Sequence, residues 1–421
     1  MKLAVVGGGS TYTPELVDGI ARLTGDMKIT ELVLVDPDAE RLSVVGPFSA
    51  RIMARHGHPA VVSWTSDLDA AVDGAGAVLL QLRVGGQATR HRDETWPLEC
   101  GCIGQETTGA GGFAKALRTV PVVLDVAERV RARAASDAWI IDFTNPVGIV
   151  TRALLDAGHR AIGLCNVAIG YQRTFAQLLG VAPEAVALDH VGLNHLTWER
   201  AALVNGADRL PELLAAHGEE IAAHTGLPLA VTMAVGAVPS YYLRYFWAHD
   251  AVVEEERGQQ TRAQAVAEIE RQLLAMYADP ALDTKPELLT HRGGAFYSEA
   301  AVALLASLVT DGRDRQVVNV RNNGTLPFLS DEAVIEVSAT VGASGAVPIP
   351  VDPVSPLMSG LIAHVSAYEE LALDAALRGG RDRVAKALLA HPLVGQYDLA
   401  GQLADRLLAE NAAFLPWAAG Q

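Results

Sequence analysis

Short apolar runs alternate with longer amphipathic stretches through the first part of the chain. Lys2–Val6, Glu31–Val35, Val61–Trp64, Ala77–Leu82, Ala138–Phe143 and Ala161–Leu164 are such runs. Segments apolar on both faces predict strands buried in a parallel sheet. Helix-period segments lie between them. One runs from Thr13 to about Leu23, with Thr13 as N-cap and Pro14 in the first turn. Others start near Pro37, cover Phe113–Arg133, and run from Val147 to about Ala157. The alternation predicts an α/β fold that opens with a Rossmann-type dinucleotide-binding domain.

The pattern then changes. Val191–Leu193, Gln316–Val320 and Val334–Val337 read as strands, the last two separated by a turn at Asn322-Asn323-Gly324. Glu254–Asp279 reads as one long surface helix, and Ala295–Leu308 as another helix. A proline-rich loop from Pro348 to Pro356 precedes helices over Leu357 to about Leu408. Gly104–Gly112 is too glycine-rich for a helix or a buried strand, and predicts a loop beside a ligand or a lid. The expected domains are 1–165, which bind the nucleotide, and 166–421, an α+β substrate and metal domain.

Composition narrows the function. The chain has 421 residues, half of them hydrophobic, enough for a large core. A net charge of −16 repels phosphodiester backbones and argues against nucleic-acid binding. Cys100, Cys102 and Cys165 cannot form a fully paired disulfide framework, which predicts reduced thiols and a cytoplasmic protein. Cys100 and Cys102 read as core thiols. No apolar run approaches the roughly 20 residues of a membrane helix, and the N-terminal run is too short for a signal-peptide core. A soluble protein without membrane association is expected.

Candidate chemistry sits where apolar runs stop. Gly7, Gly8, Gly9 and Ser10 follow the first strand and precede a helix, the setting in which backbone amides cradle a pyrophosphate. The spacing departs from G-x-G-x-x-G, so a tight strand-to-helix turn is the plainer alternative. Asp36 ends the second strand, where a carboxylate bonds a ribose and disfavours a 2′-phosphate, pointing to NAD. A helix N-cap is the plainer reading of Asp36. Arg90 is either a surface charge or a fork for a phosphate or carboxylate. Asn145, held before Pro146, is either a turn residue or a ligand contact. Arg292, beside Gly293 and Gly294, is an anion-binding candidate. Two matched endings, Cys165-Asn166 and Asn194-His195, each close a short apolar run. Singly, these residues are ordinarily inert; together, the thiol and imidazole suit a borderline-soft divalent metal. Tyr241 and Tyr242 follow a Pro-Ser turn, and a tyrosine beside a metal and an arginine can act as a base with a lowered pKa.

Read in order, GGGSTYTPEL, RVGG, GQETTGAGGF, TNPVGIVT, GLCN, GLNH, YLRYF and RGGAFYS resemble the NAD- and metal-dependent glycosidases of glycoside hydrolase family 4, particularly their 6-phospho-β-glucosidase branch. The resemblance implies a fold like that of lactate and malate dehydrogenases. It implies that Gly7–Ser10, Thr13 and Asp36 bind NAD and that Cys165 and His195 hold a divalent metal, normally manganese. It further implies Asn166 on the acid side and Tyr242, or its neighbour Tyr241, as base. Arg90, Asn145, Asn166 and Arg292 match substrate-binding positions, the arginines reaching a sugar phosphate. The implied reaction oxidises the sugar's third carbon, removes the proton at the second, eliminates the aglycone, adds water and returns the hydride. Ala168 stands where the family has proline after GLCNV, which bears on the phosphate end. A homodimer or homotetramer is implied as well. Other functions fit parts of the pattern: an NAD-dependent hydroxy-acid dehydrogenase, which needs neither Cys165 nor a metal, a family 4 glycosidase acting on an α-linked or unphosphorylated glycoside, and a non-catalytic NAD or sugar-phosphate sensor.

Overall fold

The computed structural model describes residues 1–22, 27–294 and 296–418. β1 (Lys2–Val6), α1 (Thr13–Arg22), β2 (Glu31–Val35) and α2 (Ala39–Arg55) form the opening units. β3 (Val61–Thr65), α3 (Leu68–Val72) and β4 (Ala77–Leu80) lead to two successive helices, α4 (Gly86–Glu99) and α5 (Gly109–Arg133). β5 (Trp139–Asp142), α6 (Val147–Asp156) and β6 (Ala161–Gly163) complete this half. Its strands lie in the order β3-β2-β1-β4-β5-β6, all parallel. The strand order reverses between β1 and β4, and ligands of such sheets bind outside the strand C-termini at that point.

The second half begins with α7 (Val167–Leu179), β7 (Val186–Leu193), β8 (Leu196–Val204) and β9 (Ala207–Asp208). Then come α8 (Leu210–Thr225), α9 (Leu229–Val235), β10 (Val238–Pro239), α10 (Arg244–Trp247), α11 (His249–Arg257), α12 (Arg262–Tyr277) and α13 (Tyr297–Thr310). β11 (Asp314–Arg321), β12 (Val334–Gly342) and β13 (Gly345–Pro348) are followed by α14 (Pro356–Arg378), α15 (Arg381–Ala390) and α16 (Tyr397–Asn411). These strands extend the parallel sheet. β11 pairs antiparallel to β6 through Asn319 and Gly163, and the order continues β6-β11-β12-β7-β8-β10. The main core lies between the sheet and its helices, and α5 and α14 run through it.

Several expected boundaries move. Only 104–108 is a loop; Gly109–Gly112 form the buried first turn of α5. A Cβ on Gly111 would stand 2.4 Å from the carbonyl oxygens of both Asp93 and Gln105. Close packing there outweighs glycine's poor helix propensity. The expected helix over Glu254–Asp279 is two helices. α11 stops at Arg257, and Thr261 starts α12 with a capping box to Gln264. α2 begins at Ala39 because the Asp38 carboxylate caps it by accepting from the Arg41 N–H. Thr13 is the first residue of α1 rather than its cap, and its Oγ1 accepts from Gln81 Nε2 at 2.7 Å. Leu23 and Ala295, expected helix ends, and the last residues of the expected second domain lie outside the described residues.

Candidate active site

The strand ends on either side of the reversal open into a cavity of about 1210 Å3. Gly7, Ser10 and Asp36 line one end; Asn145, Asn166, His195 and Tyr242 line the other, and Arg90 and Arg292 also face the cavity. Residues far apart in sequence therefore share one space.

The nucleotide end follows from backbone geometry. The Gly7 and Gly8 N–H groups both donate to Val35 O at 2.9 Å, which pulls the loop onto the end of β2. Gly7 has φ +87, and a Cβ there would lie 2.6 Å from Gln81 O. Gly8, Gly9 and Thr13 are not among the residues lining the cavity; the Gly9 N–H donates to Asp36 Oδ2 at 3.0 Å. Burial pushes the Asp36 carboxyl up, while bonds from the Asp38 and Gly9 N–H groups pull it down. Arg292 donates through Nε to Thr11 Oγ1 at 2.7 Å and through Nη2 to Ser10 Oγ at 3.3 Å, and pairs with Glu270 at 3.1 Å. It thus joins the glycine loop to α12.

At the other end, Asn194 and His195 form a two-residue turn between β7 and β8. His195 takes φ +63, a left-handed conformation that costs energy in a non-glycine residue and clusters at functional sites. Its ring is buried and stacks on Tyr242, with centroids 3.7 Å apart and planes 8° from parallel. Burial pushes the imidazole down to about 4, so it is neutral at pH 7 and able to donate a lone pair. Its Nδ1 is buried without a hydrogen-bond partner, as is Asn145 Oδ1. Cys165, just past β6, is buried, and burial pushes its thiol up. The nearby Val167 backbone N–H and the Tyr297 and Asn194 side chains offset part of that rise. Tyr297 itself lines the cavity.

Tyr241 is not brought to the cavity. It is 41% exposed and accepts from Arg244 through its hydroxyl, because the 3-10 turn Tyr241–Leu243 points successive side chains apart. Tyr242 does line the cavity. Burial pushes the phenol well above its ordinary range, Cys165, Tyr245 and Glu106 add to this, and Arg90 opposes it.

Sequence reasoning missed a buried charge cluster on the cavity wall. Glu106 accepts from Arg83 and from Lys115 Nζ at 2.6 Å, and lies 3.1 Å from Arg90 Nε. Burial alone would raise the Glu106 carboxyl, but Arg83, Lys115 and Arg90 hold it well below the carboxylate range. Burial pushes the Lys115 ammonium down to about 8 against the pull of Glu106. A signal was present: Lys115 is the one charge in the otherwise small and apolar run GAGGFAKAL. Arg90 is no surface charge, since its Nε also donates to Glu94 at 2.7 Å beneath the cavity.

A doubly wound nucleotide-binding sheet, a basic cavity wall and a thiol–imidazole pair beside a tyrosine define an enzyme of the dehydrogenase-like architecture. The sheet alone is shared widely: malate dehydrogenase from Salinibacter ruber superposes with a TM-score of 0.55 at 18% identity, covering 91% of this chain and 99% of that one. The sequence profile of Family 4 glycosyl hydrolase matches residues 2–181, and that of the Family 4 glycosyl hydrolase C-terminal domain matches residues 190–394. A probable 6-phospho-beta-glucosidase of Bacillus subtilis (strain 168) is 35% identical over 431 residues, 99% of this chain and 97% of the relative. The 6-phospho-beta glucosidase of Thermotoga maritima, solved with manganese, NAD+ and glucose-6-phosphate, superposes with a TM-score of 0.93 at 34% identity, covering 98% of this chain and 99% of that one. The chain belongs to glycosyl hydrolase family 4.

Proposed function

We propose that this chain hydrolyses 6-phospho-β-glucosides with NAD and a divalent metal, preferentially Mn2+. The observation that carries the reading is the single cavity, which joins the glycine loop to Asn145, Asn166, His195 and Tyr242. The likeness to 6-phospho-beta-glucosidases along the whole chain supports the substrate class.

The residues present fit both groups. For NAD, the tight Gly7 turn leaves no room for a Cβ, and Asp36 keeps acceptor capacity for a ribose. For the metal, Cys165 and His195 supply sulfur and nitrogen, and the unpartnered His195 Nδ1 belongs to a ring that burial keeps neutral. Among the described residues no group of three or more His, Cys, Asp and Glu side chains could hold an ion. Two protein donors leave room for substrate oxygens in the coordination shell. When bound, the two groups supply a hydride acceptor for the sugar's third carbon and positive charge beside its oxygen and the Tyr242 phenol.

The chain's own side chains then have separate tasks. Tyr242 acts as the phenolate, the form that Arg90 favours: having given up its own proton, Oη takes the one from the second carbon, and stacking on His195 fixes the ring. Asn166, an amide rather than an acid, orients the leaving-group side through hydrogen bonds. Asn145 Oδ1, buried and unpartnered, accepts from a sugar hydroxyl. Arg90 and Arg292 bind the phosphate as cations. Ala168, where the family has proline, packs as a buried residue of α7 and leaves phosphate recognition to the arginines. The division at 165/166 belongs to the same proposal, since the parallel part of the sheet ends with β6. So do a cytoplasmic location, in keeping with three free cysteines, and a homodimeric or homotetrameric assembly. Among the described residues no helix is long and apolar enough to cross a membrane.

The test is release of p-nitrophenol from p-nitrophenyl β-glucoside 6-phosphate. The expected result is activity that needs both NAD and Mn2+ and falls by about 100-fold or more for the unphosphorylated or α-linked analogue. Full activity after exhaustive chelation and NAD removal would refute the proposal.

A further inference from the structure

Four neighbouring strands carry a row of polar side chains through the sheet, and a glycine on a fifth ends it. Glu199 on β8 pairs across from His190 on β7, and Glu336 on β12 stands opposite Gly192. Asn319 on β11 lies between Glu336 and Gly163 of β6. Standing opposite a glycine, the Glu336 carboxylate reaches the side chains on either side of it. Its Oε1 accepts from His190 Nε2 at 3.1 Å, and its Oε2 accepts from Asn194 Nδ2 at 3.0 Å and Asn319 Nδ2 at 2.8 Å. His190 in turn lies 2.7 Å from Glu199 through Nδ1. Glu199, His190, Glu336 and Asn319 are all at most 1% exposed.

Backbone pairing already holds these strands together. Burying two carboxylates is costly, and an apolar row of similar volume would stabilise the sheet at least as well. The row therefore calls for a reason beyond folding, and its position provides one. Asn194 donates to Glu336 and, with His195, makes the two-residue turn between β7 and β8. An asparagine donates only through its NH2 group, so this bond fixes which way the Asn194 amide faces. The next residue is His195. Gly163, two positions before Cys165, lacks the Cβ that would stand 2.8 Å from the Asn319 Cβ.

We infer that Glu336 is the positioning residue for the metal end of the cavity: its carboxylate holds the Asn194 side chain, and so the turn that sets His195 in its left-handed conformation. The inference rests on the proposed role of Cys165 and His195 as metal ligands. Partners behind metal ligands fix their orientation and raise affinity. His190 and Glu199 hold Glu336 from the far side, and Asn319 holds it from the near side.

Co2+ tests this because a thiolate ligand gives a sulfur-to-cobalt charge-transfer band, independent of turnover. The full-length protein is loaded with Co2+ as wild type, Glu336→Gln, Asn194→Leu and Cys165→Ala. Mn2+ affinity is read in parallel from the free-ion EPR signal, and NAD affinity and thermal unfolding report on the fold. The expected result is a band in wild type, none in Cys165→Ala, and a weakened band in the other two. Their Mn2+ affinity falls by about 10- to 100-fold, with NAD affinity unchanged. Folded Glu336→Gln and Asn194→Leu proteins with the wild-type band, and Mn2+ affinity within about twofold, would overturn the inference. If Glu336→Gln does not fold, Asn194→Leu decides by the same criteria. A wild-type protein without the band would refute Cys165 as a ligand, and the inference would fall with it; an intact wild-type band with unchanged variants refutes the inference alone.

Discussion

The Tyr242 ring lies flat against the His195 imidazole, while Tyr241 turns outward to Arg244. The two phenols thus have different prospects as a base. Tyr242→Phe is expected to lower kcat by about 100-fold or more with NAD binding intact, and Tyr241→Phe to change it by less than about threefold. Steady-state kinetics on the 6-phospho-β-glucoside check both, and equal losses would remove the distinction. Adjacent positions in a sequence give no clue to which side chain turns inward, because the 3-10 turn that separates them is set by packing. The acidity of the Tyr242 phenol was legible only in part. Nearby arginine was legible, but the burial that pushes the phenol up was not. Cys165, Asn166 and His195 were visible as polar endings of apolar runs, whereas Glu336 was hidden as a single charge within the apolar strand Val334–Gly342.

The glycine loop after β1 works through backbone alone, and Gly7 is its tightest point. Gly7→Ala must accommodate φ +87 and a Cβ 2.6 Å from the Gln81 carbonyl oxygen. NAD affinity measured by calorimetry is expected to fall by about 10-fold or more, with Mn2+ binding retained. Unchanged NAD affinity would place the nucleotide elsewhere. Elements of this half were readable because parallel strands covered on both faces need continuous apolar runs. The first turn of α5 was not readable. Its glycines are required by the carbonyls of Asp93 and Gln105, a contact that only the fold creates. Likewise, the break between α11 and α12 depends on the local Thr261–Gln264 capping box; its signal, Gly258-Gln259-Gln260-Thr261, lay within a stretch otherwise rich in charge and alanine.

Across the whole molecule, one sheet carries both halves of the site. Its parallel part presents the glycine loop, Asp36, Asn145 and Cys165, and the antiparallel extension brings His195 and Glu336 to the same region. The net charge of −16 contrasts with a cavity lined by Arg83, Arg90, Lys115 and Arg292, as expected where an anionic small molecule is bound inside an acidic protein. The sequence made this division of labour legible through its motifs, but not the continuity of the sheet, which depends on the pairing of Asn319 with Gly163. The central claim is that glycoside hydrolysis proceeds through removal of the proton at the sugar's second carbon by Tyr242. Hydrolysis of p-nitrophenyl β-glucoside 6-phosphate deuterated at that carbon, in ordinary water with NAD and Mn2+, tests it most directly. Glucose 6-phosphate in which solvent hydrogen has replaced the deuterium is the expected product; product that keeps its deuterium at the second carbon would rule this route out.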